Sequence, residues 1–158
     1  MKKLLILFIG LLSFNNVSAQ KYTDTYIKDA NKVGLEWWNH VNTGLYAQSY
    51  SKLSDVLKSR ATLEDWLSQI SMLMDEFGNL ESRTVKNTYF QSELEGFEDG
   101  FYVMIEYDVK YSKTKNHSEN LLLKQSDQLE WQIFDFDYIF QSLETEKDEE
   151  LPFLVPEE

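Results

Sequence analysis

The chain is 158 residues long, carries a formal charge of −12 at neutral pH and contains no cysteine. That length suits one domain, and without disulfides an ordinary apolar core must hold it together. A strongly acidic surface repels phosphate backbones and anionic lipid headgroups, so nucleic acid and membrane surfaces are excluded as expected partners.

The first element is a leader. Lys2 and Lys3 precede the apolar run LLILFIGLL at 4–12, and a polar stretch then ends in Val17, Ser18 and Ala19. A short basic start, an apolar core too short to span a bilayer and small residues at a cut read as a secretory signal peptide over 1–19, cleaved after Ala19. The expected product is residues 20–158, exported to a periplasm or beyond and free of the membrane after cleavage. Losing Lys2 and Lys3 takes its charge to −14. A lipid anchor would need a cysteine at the cut, which the sequence lacks.

Helical periodicity follows. Tyr26, Ala30, Val33, Trp37 and Val41 recur every three or four residues, with Trp38 one step round the same stripe, and Gly44 stands where a left-handed residue would end the helix before a short second one. Residues 52–60 are open between helix and loop. Thr62 with Asp65 resembles a capping box, and Trp66, Leu67, Ile70, Leu73, Met74 and Phe77 follow at helical spacing until Gly78.

Beyond Gly78 the period becomes two. NLESRTVKNTYFQ (79–91) reads as a first strand, GFEDG (96–100) as a turn, and FYVMIEYDVKY (101–111) as a second strand with Phe101, Val103, Ile105, Tyr107, Val109 and Tyr111 on one face. KTKNHS (113–118) reads as a loop, ENLLLKQ (119–125) as a third strand, SDQ as a turn and LEWQIFDFDYIF (129–140) as a fourth. Helices followed by an antiparallel meander predict an α+β fold, its N-terminal helices packed on a curved four-stranded sheet, over residues 20–143. Trp37 and Trp38 supply the bulk that a helix across a concave sheet needs; alternatively, one of them lines a ligand cavity. The remaining stretch, 144–158, holds seven acids, one lysine and both prolines, and reads as a mobile acidic tail, solubilising or using Phe153, Leu154 and Val155 to hold a partner.

Several short pieces resemble, in order and spacing, the bacterial domain-of-unknown-function family 4019: EWWNHVNTGLYAQSY, DWLSQISMLMDEFGNLESR, LEGFEDGFYVMIEYDVKY, ENLLLKQ and LEWQIFDFDYIF, over about residues 30 to 140. The residues that carry it include Trp38, Gly44, Leu45, Tyr46, Ser49, Trp66, Gly78, Ser82, Arg83, Gly96, Asp99, Gly100, Tyr102, Tyr107, Glu119 and Trp131. The resemblance implies exported or lipid-anchored relatives and a cone similar to nuclear transport factor two and cystatin-like folds, and it implies no activity. The sequence departs from the pattern where a glycine usually precedes the last tryptophan, in SDQLEWQ, and where Gln132 replaces a basic residue.

Candidate site residues are few. His40 and Glu36 lie one helical turn apart, but a metal needs a third ligand, so no metal and no cofactor are expected. In FDFDY, strict strand alternation would aim Asp135 and Asp137 into the cone beside Tyr107 or Tyr89, the setting of a general base; a bulge near Phe134 would instead expose both acids and bury Phe136, Tyr138 and Phe140. The bulge, or an aromatic outer face buried by a partner, is the expected outcome, since two unpaired buried carboxylates cost several kcal/mol. Arg83 is expected to pair with Glu119 or Glu106, or else to hold an anionic ligand. The leading expectation is a non-enzymatic exported binding or scaffold module, taking a small ligand or protein partner in an aromatic pocket of Trp37, Trp38, Trp66, Tyr89, Tyr107 and Arg83. The alternatives are an isomerase or lyase working through Asp135 or Asp137 with Tyr107, and a homodimer joined by an outer sheet face carrying Tyr102, Met104 and Phe136.

Overall fold

The computed structural model describes residues 13–143, with side chains from Tyr22 onward. The acidic tail and the first twelve residues of the expected leader lie outside the described residues. Four helices, α1 (Ser13–Asn42), α2 (Tyr46–Ser51), α3 (Asp55–Lys58) and α4 (Leu63–Phe77), precede four strands, β1 (Leu80–Gln91), β2 (Tyr102–Tyr111), β3 (Thr114–Gln125) and β4 (Trp131–Ser142). The strands form one antiparallel sheet in the order β1-β2-β3-β4. The fold is α+β, as the change of period from helical to two predicts. The cut expected after Ala19 falls within α1, upstream of all its core residues.

The helix boundaries follow local chemistry. Gly44 takes φ 76 after α1, and Gly78 takes φ 79 after α4, where an added Cβ would also lie 2.4 Å from Ser112 Oγ. The Thr62 hydroxyl accepts from Asp65 N at 3.2 Å while the Asp65 carboxylate accepts from Thr62 N at 3.1 Å, closing the capping box. The Thr62 hydroxyl, then its N–H, holds the Asp65 carboxyl below its ordinary pKa. The open stretch 52–60 resolves into α3 and a short parallel bridge from Leu53 to Ile133.

α1 lies across all four strands. It comes close because Gly34 faces the sheet: a Cβ there would stand 3.0 Å from Leu121 Cδ2 and 3.1 Å from the Tyr107 hydroxyl. Trp37 and Trp38 follow on that face, fully buried and edge-to-face at 4.6 Å between ring centroids. Beneath them lie Ile105, Tyr107, Leu121, Leu123 and Ile133. Truncating either tryptophan to alanine at such a site costs about 3–5 kcal/mol.

Four irregularities interrupt the ladder. The pairing slips between Leu80 and Ser82 and between Val85 and Asn87 on β1, between Lys115 and Ser118 on β3, and at Phe134 on β4. The slip on β3 corrects the expectation that 113–118 is a loop: the turn is only Ser112 and Lys113, and β3 starts at Thr114. Asn116, at φ 51, supplies the left-handed residue, and the slip carries His117 to the inner face opposite Val109. In the β3–β4 turn, where the resemblance leads one to expect glycine, Leu129 takes φ 64 with its side chain 75% exposed.

Candidate functional site

Arg83 stands opposite Val109 and faces the interior. Its Nε donates to Glu119 Oε2 at 2.8 Å and its Nη2 to Glu119 Oε1 at 3.0 Å, a two-pronged pair with both side chains buried. Nη2 also donates to the Tyr111 hydroxyl at 2.8 Å, and that hydroxyl lies 2.9 Å from Asn42 Oδ1 and 3.2 Å from Glu119 Oε1. The guanidinium carbon sits 4.2 Å from the centroid of Trp38. Of the two partners expected for Arg83, Glu119 is the one observed; Glu106 instead accepts from Asn87 Nδ2 at 2.6 Å on the outer face.

Burial raises the Glu119 carboxyl above its ordinary pKa, while the hydrogen bonds and charge of Arg83 and the hydroxyl of Tyr111 pull it back. Burial likewise raises the Tyr107 and Tyr111 phenols. His117 lies edge-on to Phe77 and stacks on Phe140, with Nδ1 2.9 Å from Thr114 Oγ1. Burial, then the charge of Arg83, lowers its pKa to about 4, so at neutral pH the imidazole is uncharged and its Nε2, 3.7 Å from Glu119 Oε1, forms no ion pair. Arg83 is thus paired through Nε and Nη2 and covered by the Trp38 ring.

Most residues of the expected aromatic pocket pack against one another or against α1. Trp37 meets Phe136 at 5.4 Å and Trp66 at 6.2 Å, and the Tyr107 hydroxyl sits against the α1 backbone at Gly34. The Trp66 indole donates to Ser49 Oγ at 3.0 Å and lies 3.2 Å from Tyr46 O, which explains why a polar Ser49 is fully buried behind the GLY turn. Tyr89 does not join the cluster. It pairs with Met104 on the outer face and is 47% exposed, because the inward positions of β1 are held by Phe90 and Arg83.

The Phe134 bulge settles the phase of FDFDY. Leu122 opposes Asp135 while the adjacent Leu123 opposes Ile133, so both Asp135 and Asp137 are exposed on the outer face, and Phe136 and Phe140 turn to the core. No pocket aspartate stands beside Tyr107 or Tyr89. Tyr138 contacts Phe77 at 5.3 Å yet stays 37% exposed. The surface assigned to a second copy is also not assembled: Tyr102 is buried under Phe97 and Phe134, Phe136 points inward, and only Met104 stays accessible. Lys124, paired with Glu98, closes over the Tyr102 and Phe134 rings. Glu36 binds Lys52 at 3.3 Å, and no group of three metal-ligating side chains occurs among the described residues.

Among the described residues, an open groove with apolar walls lies elsewhere. Between α4 and β4 runs a groove of about 400 Å³, walled by Trp66, Ile70, Leu73, Phe136 and Tyr138, with Met72, Gln69 and Glu76 on its rim. Met72 is 70% exposed. A second hollow of about 450 Å³, between α1 and the β3–β4 turn, is edged by the charges of Asp29, Lys32, Glu36 and Glu130.

Comparison with known families bears on this geometry. The family model described as "Protein of unknown function (DUF4019)" matches residues 33–136. The chain belongs to this family. The matched span opens one residue before Gly34 and closes at Phe136, so this DUF4019 domain contains Trp37, Trp38, the Arg83–Glu119 pair and both walls of the groove except Tyr138. Curated proteins gave no match to the chain.

Two features of the cluster escape a reading by residue type. Gly34 carries a signal, since it continues the spacing from Ala30 on the apolar face of α1. His117 carries none, because only the slip at Asn116 turns it inward.

Proposed function

We propose that this protein is an exported, non-enzymatic binding module that takes its ligand or partner in the groove between α4 and β4. The observation that supports it is a contrast: the inside of the sheet holds the packed Trp37, Trp38 and Tyr107 and an Arg83 paired with Glu119, whereas a groove with apolar walls stands open beside Trp66. Open apolar concavities with a few polar groups at the rim are the usual form of a binding site. Export is inferred from the basic, apolar and small-residue order of the first 19 residues; no described helix is long and apolar enough to cross a membrane.

A thermal-shift and tryptophan-fluorescence screen against metabolites, lipids and cell-wall fragments tests the reading. Ligands that stabilise the protein should lose their effect in Met72→Asp and keep it in Tyr89→Asp. Stabilising ligands that ignore Met72→Asp would place recognition elsewhere. Mass determination of the secreted product tests export, with a first residue of Gln20 expected.

A further inference from the structure

Building on the binding-module reading, we propose that the groove's partner is an extended peptide alternating apolar and basic residues, which adds to β4 as a fifth strand. β4 is the last strand of the sheet, so its far edge offers backbone N–H and C=O groups. One end of that edge already takes an added segment: Ser54 N donates to Ile133 O at 2.8 Å and Ile133 N to Lys52 O at 3.0 Å. Beyond Ile133 no other strand bridges this edge among the described residues. Strand addition of this kind draws affinity from the backbone and specificity from alternate side chains.

The two faces of β4 specify what those side chains are. On the inner face, alternate residues of an added strand enter the groove between Phe136, Tyr138 and the Ile70 and Leu73 side of α4, which calls for apolar groups. On the outer face the others stand beside Asp135 and Asp137, both exposed. Asp137 accepts from Asn120 Nδ2 at 2.7 Å, and neither aspartate has a lysine or arginine partner among the described residues. Opposite charges directly across a strand pair are favourable and like charges are not. A second copy paired through β4 would set these aspartates against their own kind, and the chain's own 144–158 segment is strongly acidic, so charge favours a basic partner.

The test uses protein purified from the full sequence and a labelled octapeptide alternating lysine with valine or phenylalanine, read by fluorescence anisotropy. Saturable binding is expected, weakened about tenfold by Asp135→Asn with Asp137→Asn and weakened by salt. Methylating one alternate set of peptide nitrogens should abolish it, and methylating the other set should not. Equal binding of a glutamate-for-lysine peptide, indifference to the aspartate substitutions, or no saturable binding would overturn the proposal. So would a dimer dissociated by Met72→Asp, or peptide binding seen only after removal of residues 144–158, which would assign the edge to a second copy or to the chain's own tail. If the peptide fails while a screen ligand remains sensitive to Met72→Asp, this inference falls and the binding-module reading stands.

Discussion

Trp38 and Trp66 sit on the same side of one sheet, both buried, and differ in what lies against them. Trp38 is closed over by the Arg83 guanidinium, which is itself tied to Glu119 and Tyr111. Trp66 anchors its indole to Ser49 and leaves its ring in the wall of an open groove. The difference is one of chemistry. A buried charge must be surrounded by partners, so the Arg83 region is closed by its own needs, whereas an apolar wall can face solvent at a cost small enough for a binding partner to recover.

The largest effect that should separate the two regions is removal of one buried charge. Glu119→Leu leaves Arg83 without its counter-ion and should cost about 3–5 kcal/mol in urea unfolding, with Arg83→Met in the same chain restoring most of it. Met72→Asp on the groove rim should cost less than about 0.5 kcal/mol. Similar costs for the two single substitutions would erase the contrast.

Acid sensitivity between pH 6.5 and 4 comes next and belongs to the closed region. An unfolded chain protonates its histidine near pH 6.5, whereas His117 in the folded protein does so only at about pH 4. The unfolded state therefore binds more protons between these values, and stability contributed by the neutral ring is full above pH 6.5 and is lost as pH falls towards 4. His117→Phe should remove this loss, worth on the order of 2 kcal/mol after allowance for screening. Parallel stability profiles of the two proteins between pH 6.5 and 4 would contradict the buried, neutral imidazole.

A smaller effect than the acid loss sits in the β3–β4 turn, outside both regions. Leu129 holds φ 64 with no buried contact to justify it, so Leu129→Gly should raise stability by about 0.5–1 kcal/mol, read as a higher melting temperature. A fall in melting temperature would mean that the exposed side chain contributes packing.

Elements with strong local signals were legible in the sequence: the capping box at Thr62 and Asp65, the stop at Gly78, and the alternation of Val103 to Tyr111. The partner of Arg83 was narrowed to two acids, and the bulge that exposes Asp135 and Asp137 was one of two outcomes that the cost of burying them favoured. What was not legible depended on register. Tyr89 counts as a pocket residue by type, yet it is one position out of phase with Phe90, and a one-residue step sends a side chain to the opposite face. His117 lies in a polar stretch that reads as a loop, and only the left-handed Asn116 turns it inward. The groove itself joins α4 to β4 across some sixty intervening residues, a juxtaposition that no local pattern encodes.

Recognition is proposed at the Trp66 side, with the Trp38 side closed. The four tryptophans, Trp37, Trp38, Trp66 and Trp131, give four indole N–H signals that can be followed by nuclear magnetic resonance while the strongest screen ligand is titrated in. The Trp66 indole and the amides of Phe136 and Tyr138 should shift along a saturable curve, with the Trp37 and Trp38 indoles unmoved. Shifts centred on Trp37, Trp38 and Arg83 would contradict it and return the binding site to the interior of the sheet.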